Sequence, residues 1–584
     1  MALQAFLLPS AVRGSAARPP LARSPGSQEF CLHGELGTAL LRADSGDEVL
    51  CGDGFVAAWT HGVAAQEIRR GAHAGAPSLW ETGAGSLVVA TSQGLTIARG
   101  PFGGRPLYYR QEEGRVLVSS TLSALVEILD DPRAFDLECL GALGLAQSRP
   151  DPRSTPYLGI KRVLACETLT FTRQGVRRAT TLPLLPERRP GTARDHAHAL
   201  REELAEAVAR AIRGFSAVGV FAGGGLDSSG LLALLAERAR RGESLRFTGV
   251  TYDFAGPGDD RPHLAALLEM TGATTLRLAP GEIRELLSTF FVQEAAPCTW
   301  PTCPIELLGA QRAKAWGADV LMGGVGGDDV LDGDESRFAE RVLRGELGAV
   351  VEAMTQRVTW TRSTPTKILD LIVRPVLRRS VPPSVLAWHR RRWQRGREAW
   401  AWAGPRLRDL LDPAVETAHH DGWLGRMAVD QNCVDYSDAR GQTETACGLP
   451  WVDPYLDPTF VSFLATLPPE ELFYGRRQRG LFREAMKGLL PESLRLRPDK
   501  ASFETLGDEM FAAVGGLAAF APLLTMEATA DLGLVRPAPF RRTFERVVRK
   551  EATRRGWLEV WPMLAVECFL RDASVRVSPV RGAA

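Results

Sequence analysis

The chain has 584 residues, 45% hydrophobic and 24% charged, with 70 Lys+Arg against 69 Asp+Glu and a formal net charge of +1. This is the balance of a multidomain globular chain rather than a disordered or fibrous one. It excludes attachment to nucleic acid or a membrane surface by global charge. No run approaches the ~18–20 uninterrupted apolar residues that a membrane span needs. Nine cysteines without a C-x-x-C give neither a disulfide framework nor a zinc site, which points to a reducing cytoplasm.

In chain order, residues 1–28 carry three Arg, several Ser and Pro, and no acid before Glu29, a composition loosely like that of a transit peptide. The apolar run Ala5–Leu8 is too short for a secretory segment, so a flexible or weakly structured N-terminus is expected. Short strands with Gly-rich turns follow at Ser86–Ala90, Leu95–Ala98, Leu107–Arg110, Val116–Ser119 and Thr168–Thr172. A Pro-rich linker lies between about Thr181 and Ala193, and His196–Ile212 has helical spacing. Strand and helix then alternate: strand Ala217–Ala222, helix Ser228–Arg240, strand Leu245–Tyr252, helix Pro262–Thr271, strand Thr274–Leu278, helix Ile305–Ala315, strand Asp319–Met322. Such alternation predicts a parallel sheet covered by helices on both faces. Residues 335–450 break the rhythm as a helical insertion. Within it Arg374–Arg397 holds eight Arg with Trp388 and Trp393, and Trp400 and Trp402 follow. Such a stretch can grip a peptide, an acidic surface or a membrane face, but the expectation is a helical subdomain whose Trp residues pack inward and whose Arg residues are solvated.

Two loops carry the chemistry. In Phe221-Ala222-Gly223-Gly224-Gly225-Leu226-Asp227-Ser228-Ser229, three glycines let the backbone approach a ligand. The hydroxyls and the free N–H groups of a helix start make an anion site. No G-K-[ST] follows, so this is not a Walker A loop. An Asp inside a phosphate loop repels the ligand unless a divalent cation intervenes, so Asp227 predicts Mg²⁺. The second loop, Val320 to Asp329, again runs from a buried strand through Gly323, Gly324, Gly326 and Gly327 into Asp328 and Asp329. In a parallel sheet both loops emerge at the carboxyl edge, where Asp227 and Asp328 can face one metal.

These residues resemble the asparagine synthetase B-like ATP pyrophosphatases. Gly224-Gly225-Leu226-Asp227-Ser228-Ser229 looks like the pyrophosphate loop, and Gly323–Asp329 like the second nucleotide loop. Pro101-Phe102-Gly103-Gly104-Arg105-Pro106-Leu107-Tyr108-Tyr109 is similar to a segment of the family's N-terminal domain. Pro454–Asp457, Leu481–Ala485, Leu490-Pro491 and Arg497-Pro498-Asp499-Lys500 resemble its later motifs, Asp499 being an extra residue in the last. The resemblance implies a mixed α/β and α+β chain. Residues 1–185 would be an Ntn-hydrolase-like, degenerate glutaminase domain, and 194–584 a Rossmann-like ATP pyrophosphatase synthetase domain. It implies ATP and Mg²⁺, with Gly223, Gly224, Gly225, Asp227, Ser228, Ser229, Gly323 and Gly324 around the nucleotide. Asp227 and Asp328 would hold the metal, and Lys500 would neutralise charge on the adenylate or the departing pyrophosphate.

Departures narrow the expectation. Ala2 stands where the glutaminase nucleophile of class II asparagine synthetases is a Cys, so no ammonia is expected and the amine must arrive with the substrate. Val325 replaces a Glu of asparagine synthetases and a Tyr of β-lactam synthetases, and Gly223 replaces a Ser. The 125 residues between Asp328 and Pro454 are similar in length to those of lasso peptide cyclases. The expected activity is closure of a ribosomal precursor peptide. An Asp or Glu side chain would be adenylated and joined to the peptide's N-terminal amine, with a leader peptidase and a leader-binding protein as possible partners. A β-lactam synthetase-like or other intramolecular amide synthetase, an ammonia-dependent asparagine synthetase and a catalytically silent peptide-binding scaffold are the alternatives.

Overall fold

Period-two alternation builds the first third of the chain. The computed structural model describes residues 85–576 except 92–93, 113–114, 128, 130–133, 147–148, 183–185, 254–259, 280, 283–290, 294, 333–336, 356–367, 381–384, 386–398, 411–426, 430, 498–503 and 552–555. It also describes the backbone of five strands within residues 4–59. These are β1 (Gln4–Leu8), β2 (Gln28–Gly34), β3 (Gly37–Ala43), β4 (Glu48–Gly52) and β5 (Phe55–Trp59). Next come β6 (Ser86–Thr91), β7 (Gly94–Arg99), β8 (Tyr108–Glu112), β9 (Arg115–Ser119), β10 (Ile160–Arg162), β11 (Glu167–Thr172) and β12 (Gly175–Thr180).

They form two antiparallel sheets, ordered β10-β8-β9-β1-β3-β2 and β12-β11-β7-β6-β5-β4. Val88, Ala90, Leu95 and Ile97 of one sheet share a core with Tyr109, Val116 and Val118 of the other. The alternate residues Tyr108 and Leu117 face away, onto Leu122 and Leu125 of α1 (Leu122–Val126) and Leu140 of α2 (Leu137–Gly144). One expectation is corrected here: Gln4–Leu8 is no loose terminus but a central strand, paired with β3 and β9.

Helix α3 (Ala193–Ala211) opens with a capping box between Thr192 and Asp195, which satisfies its first N–H groups. The second unit follows: β13 (Ala217–Phe221), α4 (Leu226–Arg240), β14 (Arg246–Tyr252), α5 (Arg261–Thr271) and β15 (Thr274–Leu278). After a small hairpin of β16 (Val292–Gln293) and β17 (Ala296–Pro297) come α6 (Cys303–Trp316), β18 (Val320–Met322), α7 (Gln431–Cys447) and β19 (Trp451–Val452). The sheet is wholly parallel, ordered β15-β14-β13-β18-β19. The chain builds outward from β13 on one side and returns to its other side at β18. That reversal leaves a crevice at the carboxyl ends of β13 and β18.

Helix α7 joins the two units. The turn at Pro101–Pro106 lies on it so closely that a Cβ on Gly103 would come 2.7 Å from the Cys433 carbonyl oxygen. A Cβ on Gly441 would come 2.7 Å from Pro106. Arg99 and Arg162, both wholly buried, donate to Asp438 of α7 at 2.8 and 2.7 Å. The C-terminal helix α8 (Trp561–Arg576) sets Phe569 against Phe135 and Tyr157 of the first unit. Within the insertion, Trp402 is buried against Phe540, ring centroids 5.2 Å apart. Trp388 and Trp393 lie outside the described residues, as does the Trp400 side chain.

Candidate active site

Strand β13 ends at Phe221 and α4 begins at Leu226, so Ala222–Gly225 make the whole turn. Gly224 has φ +90°, and a Cβ there would lie 2.6 Å from the Asp260 carbonyl oxygen, so only glycine fits. A Cβ on Gly223 would meet nothing within 4 Å. Gly225 is the N-cap of α4 and makes no side-chain cap bond, so the first amides of the helix are left for a ligand.

The second loop lies directly beside the first because β18 pairs with β13, Met322 opposite Val220. Gly324 packs on Ser228, where an added Cβ would be 3.2 Å from its nitrogen. Gly327 packs on Asp227, where it would be 2.7 Å from Cγ.

A cation already stands between the two loops. Arg479 donates through Nη1 to both Asp227 carboxylate oxygens at 2.8 and 2.7 Å, and its Nε lies 3.1 Å from Asp332. Its other terminal nitrogen pairs with Asp328. Nearby, Arg497 donates to the Asp260 carboxylate at 2.7 Å and the Gly224 carbonyl at 3.1 Å. Burial, and then the like charges of Arg479 and Arg477, push the Arg483 guanidinium down to about 10. It stays charged at neutral pH in a place short of counter-charge, which is a field built for an anion.

These groups face one cavity of about 590 Å³, the size of a small-molecule site. The loops and arginines form one end. The other is aromatic: Phe221 lies 5.9 Å from Tyr252 and 4.9 Å from Trp451 between ring centroids, and Trp300 and Tyr436 complete the wall. Glu306 also faces this end.

The residues present fit Mg²⁺. Asp227 and Asp328 pair with the two terminal nitrogens of one guanidinium, so both carboxylates face the same cationic position. Among the described residues no cluster of three or more candidate ligands gathers. Two carboxylates completed by phosphate oxygens and water are the shell this hard cation favours.

The sequence matches the asparagine synthase family over residues 199–571, and a glutamine amidotransferase domain over residues 84–181. The chain belongs to the asparagine synthase family. Its curated relative, asparagine synthetase [glutamine-hydrolyzing] 3 of Bacillus subtilis (strain 168), is 22% identical over 426 residues. The match covers 69% of this chain and 64% of the relative, so the chain spans slightly under two thirds of that protein's length. Among solved structures, the allosteric regulatory enzyme of purine biosynthesis is 12% identical over 48% of this chain and 80% of its own, at a TM-score of 0.20. The U34-tRNA thiolase NcsA from Methanococcus maripaludis with its [4Fe-4S] cluster is 14% identical over 45% and 88%, also at 0.20. Similarity that low carries no argument. The mixed α/β fold of this asparagine synthase-family chain, with an Ntn-type amidotransferase domain ahead of the parallel sheet, rests on the family matches and the sheet topology.

Of the residues singled out in the sequence, Gly223, Gly225, Asp227, Ser228, Gly323, Gly324 and Asp328 line the cavity. Gly224 and Ser229 stand behind it, the Ser229 hydroxyl wholly buried and without a hydrogen-bond partner among the described residues. Lys500 lies outside the described residues. Arg479, Arg483 and the aromatic wall escaped the sequence reading as site residues. Arg479 is one of three arginines in four residues, a run that reads as solvated surface until it is placed. Among the described residues no helix is long and apolar enough to cross a membrane.

Proposed function

We propose that this chain is an ATP-dependent, AMP-forming carbon–nitrogen ligase acting on a peptide. In this reading it is a macrocyclase that joins an Asp or Glu side chain to the peptide's own N-terminal amine as in lasso peptides. The observation that carries the ligase reading is the pair of glycine loops, side by side, with Asp227 and Asp328 meeting Arg479 at the cationic end of one cavity. The 125-residue insertion supports a large substrate. So do the exposed apolar side chains Leu343, Leu347, Val351 and Leu377 that it presents.

ATP enters as a substrate, with its phosphates against Gly223, Gly225 and Ser228 at the α4 N-terminus. Mg²⁺ held by Asp227 and Asp328 would offset the charge of the phosphates as pyrophosphate departs. Asp227 and Asp328 would hold the metal in place of their present pairing with Arg479, which with Arg483 and Arg497 would then face the phosphate oxygens. A peptide carboxylate oxygen attacks the α-phosphorus and pyrophosphate leaves. The amine nitrogen then attacks the acyl carbon, the bond from acyl carbon to the AMP oxygen breaks, and AMP departs. Lys500 is proposed to neutralise charge in these steps. The cavity walls hold amine and acyl group together, which can be worth an effective concentration of about 10⁵ M or more, and keep water from the adenylate. Leader removal must precede closure to free the amine, so a leader peptidase and a leader-binding protein are the partners proposed.

The test is intact-mass analysis of leaderless candidate core peptides incubated with the protein, ATP and Mg²⁺, with AMP quantified in parallel. Loss of one water per AMP formed is expected, and Asp227→Asn should lower it by about 10²-fold or more. AMP formed only with a small carboxyethyl amino acid would replace the peptide reading with a β-lactam synthetase-like one. No AMP with any of these would leave a binding scaffold.

A further inference from the structure

The cavity has two ends of opposite character, and the steps above use only one. Glu306 sits in the first turn of α6, where the Thr302 hydroxyl donates to its Oε1 at 2.9 Å. It faces the cavity between Tyr252, at the end of β14, and Tyr436 of α7. Among the described residues no Arg, Lys or His pairs with it. Burial pushes its carboxyl up, and burial together with the Glu306 charge pushes the Tyr252 and Tyr436 phenols up as well.

A carboxyl placed this way gains one hydroxyl bond against a large loss of hydration, so it is a poor choice for holding a fold together. It suits a ligand. An anion is repelled here and drawn to the arginine end. What complements a carboxylate beside the Tyr252 and Tyr436 rings is a compact cation on an apolar stem, held by charge and by the rings. A primary ammonium has that form, and a carboxyl whose basicity burial has raised is suited to accept its proton.

We infer that the Glu306 end of the cavity binds the primary ammonium of the substrate and takes one of its protons. This rests on the ligase reading for its chemical consequence. The ammonium gives one proton to Glu306, and the freed nitrogen lone pair forms the bond to the acyl carbon. The bond from that carbon to the AMP oxygen breaks, and the second nitrogen proton leaves with the AMP phosphate. Glu306 is thereby a catalytic residue, touching the nucleophile itself.

The experiment uses the full chain and two probes of equal shape, n-butylamine and 1-butanol, titrated by ligand-observed NMR. In the wild type the amine should bind about ten- to a hundredfold more tightly than the alcohol, the scale of a charge-assisted hydrogen bond. Glu306→Gln should erase that preference while leaving butanol binding and ATP affinity unchanged. The wild-type comparison stands even if the variant fails to fold. Equal binding of the two probes overturns the inference. So does a variant that loses ATP affinity but keeps the amine preference, which would make Glu306 a reader of the nucleotide. The ligase reading fails separately: if no carboxylate supports AMP formation but the amine preference depends on Glu306, the amine site stands and the proton transfer to an acyl acceptor falls. If AMP forms and the probes bind alike, the amine site falls and the ligase remains.

Discussion

Gly223 and Gly224 are adjacent in the phosphate loop and face opposite demands. Gly224 holds φ +90° against the Asp260 carbonyl, whereas the space where a Gly223 side chain would stand is open toward the cavity. Gly224→Ala should therefore cost about 1–3 kcal/mol, from strain and the backbone clash together. Gly223→Ser should leave stability within about 0.5 kcal/mol. It should also tighten ATP several-fold, about what one added hydrogen bond contributes. Urea unfolding and ATP titration of the two variants check both. These glycines and Asp227 are legible in the sequence because the anion site is written in consecutive residues between a strand and a helix. Arg479 is not, because its meaning depends on Asp227, 252 positions away. Glu306 is illegible for the same reason, since an acid in a helical first turn ordinarily reads as favourable to the helix dipole. Only its enclosure by Tyr252 and Tyr436 makes it unusual.

At the scale of elements, the strands and helices around the sheet were readable because each is a single run of one period. Thr274–Leu278 is both the expected and the observed strand, and the expected helix Ile305–Ala315 widens to Cys303–Trp316. Two-residue β19 is too short to show a period, and the early strands Gln28–Gly34, Gly37–Ala43, Glu48–Gly52 and Phe55–Trp59 are not among the strands expected from the sequence. How elements approach one another was also unreadable, although it fixes the cavity wall. Helix α6 lies on the sheet through Gly309, where a Cβ would come 2.5 Å from the Phe221 ring and 3.1 Å from Val250. Phe221 cannot retreat freely, since its ring is stacked against Trp451 at 4.9 Å. Gly309→Ala should cost about 1–3 kcal/mol by overpacking and displace the Phe221 ring into the cavity. Weaker ATP binding, alongside a lower urea midpoint, is the expected pair of observations. An unchanged midpoint would mean that α6 can shift outward without loss.

The first unit's attachment to the synthetase sheet is a feature of the whole molecule, and its most deeply buried part is charged. Arg99 and Arg162 come from the sandwich and Asp438 from α7, the helix that also presents Tyr436 to the cavity. The segment Pro101–Tyr109, noticed in the sequence as a family resemblance, is thereby a docking surface whose glycines admit α7. Burial alone would raise the Asp438 carboxyl, but Arg99, Arg162 and Arg149 outweigh it and hold it below the usual carboxylate range. The sign of the pH dependence follows. A carboxyl depressed in the folded state contributes stability above its unfolded value, about 3.9, and loses it as pH falls through the folded value. Asp438→Asn takes from buried Arg99 its carboxylate partner and leaves buried Arg162 with Asp435 alone, a loss of about 3 kcal/mol at pH 7. Urea midpoints of wild type and variant should differ equally at pH 7 and pH 5, and the gap should begin to close below about pH 4, where the unfolded wild-type carboxyl takes up a proton before the folded one does. Because α7 carries both the ion pairs and a wall of the cavity, the variant should also bind ATP and amine probes less well at pH 7. Loss of stability with binding intact would mean that the sandwich is held by this helix without shaping the site.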